Sequence, residues 1–439
     1  MWKTNILGSS TVMVFGEEDC RRLLKEEGSL VEVIWPDVTA ELVDASSYWV
    51  GTASLNLLKG GDHLRLKKVL GDAFSEEAVE VLRPTLQECT QLFCKRWVQL
   101  GSFSAYDECK LWAWTIFGAG VLGLPATVET GRRLCGLMDD LQGGFQTAPV
   151  KLPLTPYQKA VSAREAIVQI VQKQMDAISS GKGLRGCCLA NMMAQEQLTG
   201  GQVIDNVIAA AFGNASAGPT AAKAFQHLAA GPAREGVSGE LRKVDDIACH
   251  HLQQLEYTNA VVREMLRITP IVPALFRRAL KDFELSGRLI PKGWSVYIHT
   301  GASVQKYNQD SFQPQRWLEQ GSAGSQSSTA AGREPSRSSK GRGDAHGGSG
   351  AMPNDAAAAA SSLAALSSAQ SGCPEHSLPF GLGPRMCLGR HIVKAALAVL
   401  VAELVSKHDW HMGDPAEQWS VFPTVRPKEG LRVSSFAEL

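Results

Sequence analysis

One cysteine near the end of the chain lies in a glycine-rich segment that could bind a metal cofactor. Residues 380–389 read Phe-Gly-Leu-Gly-Pro-Arg-Met-Cys-Leu-Gly and lead into an apolar run from Ile392 to Leu404. This run has the length and composition of a buried helix, which places Cys387 at the predicted helix N-terminus. There the helix dipole and unpaired backbone amides favour the thiolate, the form of cysteine that binds metals.

The residues that flank Cys387 suit a flat, metal-bearing ring. Gly381 and Gly383 permit a tight turn whose N–H groups can point at the sulfur, and Gly389 lets the following helix pass close to a planar cofactor. Arg385 can form charge-assisted hydrogen bonds with a propionate of haem b, iron protoporphyrin IX. A thiolate ligand donates electron density to haem iron and favours O–O cleavage.

A lone cysteine in a turn is more often a buried structural residue, so the assignment depends on how many neighbours agree with it. Five positions fit one haem-ligand pattern, namely Phe380, Gly383, Arg385, Cys387 and Gly389. At average residue usage, chance would produce this match in fewer than roughly one in a thousand chains of this length. We therefore predict that Cys387 is the axial iron ligand and that Phe380, Arg385 and Gly389 contact the cofactor.

The segment resembles the cysteine-ligand loop of the cytochrome P450 family. Glu264-Met-Leu-Arg267 matches that family's Glu-x-x-Arg helix motif, and Phe312-Gln-Pro-Gln-Arg316-Trp317 resembles the later segment whose arginine joins the pair. Residues three apart share a helix face, so Glu264 and Arg267 can be buried together. The resemblance implies a structural triad of Glu264, Arg267 and Arg316 that holds the core behind the cysteine loop.

The resemblance also implies side chains for the haem propionates. His63 and Lys67 match a ring residue and a basic residue four positions later on the family's third major helix, and such a pair lies on one helix face. Without the resemblance, the two residues would fit a solvated helix face better. Arg277 matches another propionate-binding arginine, and its neighbour Arg278 is the alternative.

The match fails on the long central helix, where the family carries an acid and then a threonine that organise protons for dioxygen cleavage. The register set by Phe212-Gly213 and Ala221-Ala222 puts Ser216 and Ala217 at these catalytic positions. Neither side chain can relay a proton in the same way, although Ser216 could hold a water. We expect either slow or uncoupled turnover, or chemistry that needs no such relay.

Other segments narrow the resemblance to the branch that hydroxylates retinoic acid and sterol-type isoprenoids. They are Trp2-Lys3-Thr4, Gly144-Phe145, Leu152-Pro153, Thr155-Pro156-Tyr157 and Ala163-Arg164. The implied enzyme is a monooxygenase that inserts one atom of O2 into a lipophilic isoprenoid, sterol or retinoid-like substrate, with electrons from an NADPH-dependent reductase or a ferredoxin. The alternatives are a haem-thiolate isomerase, dehydratase or peroxygenase that needs no electron delivery, and a non-catalytic haem-binding protein from a decayed gene.

A mainly helical scaffold with a minor β component must position these residues. Helices are predicted over residues 17–27, 63–74, 112–124, 157–178, 203–228, 250–267 and 388–407. Short strands are predicted at 11–15, 283–289 and 294–299. A kink is expected at Pro219, because proline removes a helix hydrogen bond. The resemblance implies the P450 fold, a helical domain with a small β-rich region.

The chain divides into one domain and an insert. Residues 321–371 are rich in Gly, Ser and Ala and cannot bury enough apolar surface to offset their ordering entropy, so this insert is predicted to be disordered. Residues 1–320 and 372–439 then form a single haem-thiolate catalytic domain.

Bulk composition limits the partners and the compartment. Lys and Arg together number 44, as do Asp and Glu, which argues against a nucleic-acid partner. The ten cysteines show no paired framework and favour free thiols in a reducing compartment. The start of the chain carries neither a signal peptide nor a transmembrane run, and relative to the family it would be truncated. We expect a monomer with peripheral membrane contact, at the endoplasmic reticulum in its full-length form, with plastid or cytoplasm as alternatives.

Overall fold

The computed structural model describes residues 1–6, 8–34, 50–145, 147, 150, 152–215, 217–243, 254–269, 272, 274–300, 312–318, 378–420 and 425–439. The predicted insert at 321–371 and the oxygen-side Ser216 lie outside these residues. What is described is mainly helical with a minor β component, which confirms the predicted fold class.

Several helices begin at a hydroxyl residue that caps the first turn. Ser75, Ser104, Thr155 and Thr199 each accept a hydrogen bond from the amide three residues later. The helices are α1 (Glu17–Lys25), α2 (Gly60–Ala73), α3 (Glu76–Leu100), α4 (Ala105–Ile116), α5 (Val128–Phe145), α6 (Pro156–Ser179), α7 (Cys188–Met193), α8 (Gly200–Asn214), α9 (Ala217–Leu228), α10 (Pro232–Leu241), α11 (Glu256–Ile268) and α12 (Arg390–Lys407). A π-helical turn, Phe117–Val121, continues α4.

Short strands form the β-rich part. They are β1 (Trp2–Ile6), β2 (Ser9–Val14), β3 (Val31–Val33), β4 (Phe103–Ser104), β5 (Ala274–Ala279), β6 (Phe283–Leu285), β7 (Arg288–Ile290), β8 (Ser295–His299), β9 (His408–Met412), β10 (Trp419–Ser420), β11 (Arg426–Pro427) and β12 (Arg432–Glu438). The largest sheet has the order β1-β2-β8-β5-β3, in which only the β2–β8 pair is parallel. Pairs β6–β7 and β10–β11 and the sheet β4-β12-β9 complete the set.

The helix after the cysteine loop lies at the centre of the helical core. Every residue of α12 from Ala396 to Val405 is buried, as expected for a helix that is apolar on all sides. It packs against α3, α10 and α11, and its first turn contributes Ile392 to a second core formed with α2, α5, α6 and α8. The N-terminus of α12, where Cys387 lies, therefore starts from a rigid part of the molecule.

The predicted kinked helix at 203–228 is wrong in one respect, because the structure has two helices. The first, α8, ends at Asn214, and α9 begins at Ala217, so the interruption comes before Pro219. Pro219 lies in the first turn of α9, where no intrahelical donor is needed, and it is therefore tolerated. The predicted start of α11 at residue 250 lies outside the described residues.

The carboxylate of Glu264 joins α11 to the segment that follows the β-rich region. It accepts two hydrogen bonds from Arg267, both at 2.8 Å, one from Arg316 Nε at 3.2 Å and one from the indole of Trp317 at 2.9 Å. The backbone amide of Gln313 donates to it as well. Glu264 is fully buried and Arg267 is 2% exposed. The structure thus brings the three predicted triad residues together.

We predict that Glu264→Ala destabilises the protein by about 3–5 kcal/mol, because it leaves the Arg267 charge buried without its carboxylate. Glu129 and Arg132 on α5 supply the control, since they form an ion pair of the same i,i+3 spacing with side chains 75% and 57% exposed. Glu129→Ala should cost about 0.5 kcal/mol or less. Denaturant unfolding followed by circular dichroism measures both, and equal losses would contradict the assignment.

Candidate functional site

The cysteine loop is a tight turn locked by its own backbone. The Cys387 amide donates to the carbonyl of Phe380 at 2.9 Å, and the Met386 amide donates to that of Gly383 at 3.1 Å. Gly383 has a φ of 69°, and a Cβ there would overlap the carbonyl oxygen of Leu24. Only glycine allows this close approach to the end of α1. Phe380 packs against the helical core and fixes the start of the loop.

Cys387 differs from the other cysteines in its exposure. Within the described chain its thiol is the exposed one, whereas Cys20, Cys89, Cys94, Cys109, Cys135, Cys187 and Cys188 are buried. Although the thiol is accessible, protein atoms crowd around it, and this desolvation raises the pKa of Cys387. Hydrogen bonds from the Gly389 and Arg390 amides and the charges of Arg390 and Lys67 act in the opposite direction without prevailing. A metal cation bound to the sulfur would stabilise the thiolate directly.

Lys67 on α2 holds the cysteine loop from the side. Its Nζ donates to the carbonyl of Pro384 and, at 2.9 Å, to that of Met386. Burial is the main cause that lowers the pKa of Lys67 to about 8, and the charge of Arg390 adds to it. This backbone contact is a role that the sequence did not indicate.

His63 lies one turn before Lys67 on the same face and is 3% exposed. The interpretation of this face as solvated is therefore wrong for His63. Burial, with smaller contributions from the charges of Arg385 and Lys67, lowers the pKa of His63 to about 3. The imidazole is neutral at physiological pH and can offer a hydrogen bond without adding charge.

Arg277 and Arg385 lie together on the other side of the loop. Both are close to Glu27, with Arg277 Nε paired to Oε2 and Arg385 Nε at 3.3 Å from Oε1. Arg385 also donates to the carbonyls of Leu55 at 3.1 Å and Leu58 at 2.6 Å. Of the two candidate arginines on β5, Arg277 is buried and faces this group, and Arg278 is only half-buried.

The charges of this pocket fit a dianionic cofactor. Arg277, Arg385 and Lys67 are cations that lie buried or part-buried beside the loop, and Glu27 pairs with the two arginines. Buried cations are stabilised by counter-charges placed beside them. The two propionates of haem would supply them, while the exposed thiol of Cys387 would supply the iron ligand. The residues present therefore fit haem.

Comparison with known proteins agrees with this geometry. A family model for cytochrome P450 matches residues 233–331 and 365–433, which include Glu264, Arg277 and Cys387. The human protein named Cytochrome P450 26C1 is 27% identical in an alignment of 475 positions, which covers 99% of this chain and 81% of that protein. The chain belongs to the cytochrome P450 family. Membership makes it an oxidoreductase of the monooxygenase class and implies a haem cofactor, a lipophilic substrate and an electron donor.

Further relatives cover the same length of this P450. Steroid (22S)-hydroxylase of Oryza sativa subsp. indica is 24% identical and covers 99% of this chain and 79% of its own. Abscisic acid 8'-hydroxylase 1 of Arabidopsis thaliana is 22% identical, with 99% and 83% covered. The solved structure of retinoic acid bound cyanobacterial CYP120A1 matches with a TM-score of 0.75 at 19% identity, over 100% of this chain and 91% of that one. This likeness confirms the predicted P450 fold.

The structure has two helices, α8 and α9, in place of the single helix on which the resemblance put the proton-relay positions. Ala217 opens α9 and lines a small cavity together with Asn214, Trp112, Ile116, Ile392 and Ala396. This lining is almost wholly apolar, and Asn214 is its amide-bearing side chain, with Nδ2 3.3 Å from the carbonyl of Ala113. Ala217 itself offers no hydrogen-bonding atom beyond its backbone.

A hydrogen-bonded clamp ties α8 to the loop before α2. Asp205 accepts from the Ala53 amide at 3.1 Å, and Asn206 accepts from the Leu55 amide at 2.8 Å and donates to the Ala53 carbonyl at 3.1 Å. At Gly51, whose φ is 85°, a Cβ would overlap the Asp205 carboxylate. The loop that Asp205 and Asn206 hold also carries the carbonyls bound by Arg385, so it is fastened on both sides.

Sequence reasoning missed three parts of this site. Glu27 shows no local motif, because its partners Arg277 and Arg385 are distant in sequence. Asp205 and Asn206 stand three and four residues after a capping Gln202 and carry no pattern that predicts loop contacts. The available signal was their polar character between the apolar pairs Val203–Ile204 and Val207–Ile208.

We predict that His63 contributes to loss of stability in acid. The unfolded chain protonates this imidazole near pH 6.5 and the folded chain only near pH 3, so the unfolded state gains protons first and stability falls as pH drops between these values. Between pH 7 and pH 5 the loss from His63 should be about 2 kcal/mol. His63→Gln should remove it, while the exposed control His411→Gln should not. Unfolding measured at both pH values tests this, and identical pH dependence in all three proteins would contradict it.

Proposed function

We propose that this P450 is a haem-thiolate monooxygenase in which Cys387 binds the iron of haem b. The observation that carries the proposal is an exposed cysteine just before α12, next to the buried cluster of Arg277, Glu27 and Arg385. Lys67 binds the same loop, and the buried His63 lies one turn before Lys67 on α2.

Each group has a separate task in this proposal. The bound haem supplies dioxygen activation, using electrons from an NADPH-dependent reductase or a ferredoxin. Lys67 fixes the loop carbonyls so that the sulfur of Cys387 stays in place. Arg277 and Arg385 bind the propionates through charge-assisted hydrogen bonds, and the neutral His63 adds a hydrogen bond of its own. Gly389 leaves room beside the sulfur at the start of α12.

The substrate we propose is a lipophilic isoprenoid, such as a retinoid or a sterol. Support comes from the printed names of the relatives, which mention a steroid, abscisic acid and retinoic acid, all of them built on an isoprenoid skeleton. The reaction that we propose for this substrate is the insertion of one oxygen atom into a C–H bond.

A second candidate is a haem-thiolate isomerase, dehydratase or peroxygenase, which needs no electron delivery. The observation that favours it is Ala217, because no side-chain donor occupies the threonine position at the interruption between α8 and α9. Ser216, at the acid position, lies outside the described residues. Both candidates use the same Cys387 site and differ only on the oxygen side.

We also propose peripheral contact with a membrane, that of the endoplasmic reticulum. The segment before α6 exposes Val150 at 44%, Leu152 at 60% and Leu154 at 85%, which are apolar side chains that a lipid surface would cover. No helix in the described ranges is both long and apolar enough to span a bilayer.

The central prediction concerns the spectrum of the reduced protein with carbon monoxide. Wild type should give the red-shifted Soret band of thiolate-ligated haem, because sulfur donates to the iron. Cys387→Ala should lose this band, and the buried-cysteine control Cys135→Ala should keep it. No haem uptake by wild type, or an unchanged spectrum in Cys387→Ala, would overturn the proposed site.

The oxygen side is tested by Ala217→Thr, with Ala217→Val as a control of similar volume that lacks the hydroxyl. Positioned proton donors contribute about 10²–10⁴-fold to a proton transfer, so partial restoration should raise product per NADPH consumed on the order of ten-fold. Valine should not. Product and released hydrogen peroxide are measured with NADPH and reductase, and in parallel with peroxide alone. Turnover that never depends on the reductase would favour the second candidate, and haem binding without any turnover would favour a non-catalytic protein.

A further inference from the structure

Glu27 is a buried carboxylate between the two arginines of the pocket, just after α1. Its side chain is 7% exposed, and those of Arg277 and Arg385 are 3% and 12% exposed. One carboxylate oxygen pairs with Nε of Arg277 and the other with Nε of Arg385. The oxygen that faces Arg385 also accepts from the Val33 amide at 2.9 Å, which ties the carboxylate to β3.

We propose that Glu27 is the positioning residue of the propionate site. Its carboxylate holds the guanidinium groups of Arg277 and Arg385 at a fixed separation and sets the local charge that the haem experiences. This inference rests on the proposed haem site, and it assigns a role to a residue that touches neither the sulfur nor the iron.

The choice of nitrogen atoms supports this role. A guanidinium has five N–H donors, and Glu27 forms an ion pair at Nε of each arginine, with the Arg385 Nε–H donating a hydrogen bond. Arg385 uses Nη1 and Nη2 for the carbonyls of Leu55 and Leu58, and each of these nitrogens carries a second hydrogen. Arg277 Nη1 donates to the carbonyl of Phe276 at 2.8 Å, and each terminal nitrogen of either guanidinium carries two hydrogens, so donors are present for carboxylates of a ligand.

The neighbouring acidic residues Glu26 and Glu32 form ion pairs with other side chains and do not lie between the two arginines. Glu26 pairs with Arg22 at 3.6 Å in an exposed i,i+4 arrangement. Glu32 pairs with Lys59 at 3.1 Å. Two buried guanidinium groups without a carboxylate between them would repel each other in a medium of low dielectric. Glu27 removes this repulsion before any cofactor arrives.

The substitution Glu27→Gln removes the negative charge of the side chain and keeps its size, so it tests the effect of the charge alone. The amide is nearly isosteric, yet its NH2 group cannot accept a hydrogen bond, so it can hold only one of the two arginines. The substitution removes one negative charge near the haem, which favours the reduced state of the iron. Glu27→Asp keeps the charge and shortens the side chain, so it serves as the rescue variant.

The experiment compares full-length, haem-loaded wild type, Glu27→Gln, Glu27→Asp and the control Glu26→Gln. Spectroelectrochemistry gives the haem midpoint potential, and transfer of haem to an excess of a high-affinity apoprotein gives the release rate. For Glu27→Gln we expect a more positive potential and a release rate higher on the order of ten-fold, since a charge-assisted contact is lost. Glu27→Asp should keep the wild-type potential, and Glu26→Gln should match wild type in both measurements.

Several outcomes would overturn the inference. They are an unchanged potential and release rate in Glu27→Gln, the same shift in Glu26→Gln, or equal potential shifts in the glutamine and aspartate variants. If Glu27→Gln does not fold, Glu27→Asp must release haem faster than Glu26→Asp, and equal rates would count against the role. These measurements need no substrate, so a chain that binds haem without turnover still tests Glu27. If wild type binds no haem, the inference falls together with the proposed site.

Discussion

Cationic side chains that bind backbone carbonyls hold the cysteine loop, and the rest of the site is arranged around this constraint. Lys67 reaches across from α2 to two carbonyls of the loop, while Arg385 reaches out of the loop to the segment before α2. Phe380 packs against the helical core at the start of the loop. Lys67 on α2 and Arg385 within the loop add charged donors that hold the rest of it, and the sulfur is placed as a result.

The two sides of the candidate site differ in how completely they are built. On the cysteine side, the residues that the family resemblance assigns to the propionates, His63, Lys67, Arg277 and Arg385, lie in or beside the cysteine loop and its neighbours in the structure. On the opposite side the helix is interrupted, and Ala217 offers only a methyl group. An enzyme can lose proton relay without losing its cofactor, because the two functions depend on different elements. The same site can therefore serve more than one haem-thiolate reaction.

The sequence predicted local features better than distant pairings. Cys387, Glu264 and Arg267 lie in short motifs whose meaning is set by spacing along one loop or one helix face. Glu27 and Arg385 are 358 residues apart, and no local pattern connects them. The sequence predicted a kink at Pro219, whereas the structure has a break between two helices just before it. A proline indicates that helical hydrogen bonding is lost nearby, but it does not show that Pro219 fits the first turn of a new helix. Exposure of Cys387 and burial of His63 also needed the tertiary structure.

The contacts of the loop around Gly51 connect a substitution at this glycine to the cysteine loop. Any side chain at position 51 would have to displace Asp205, and the loop would then lose one of the hydrogen bonds that hold it to α8. Because the same loop presents its carbonyls to Arg385, the displacement would reach the cysteine loop through the chain itself. A substitution of Gly51, which is far from Cys387 in sequence and has no side chain, would thus weaken binding of the proposed cofactor. Whether a residue in this region tolerates substitution therefore depends on the hydrogen bonds that connect it to the cysteine loop, and not on its distance from Cys387.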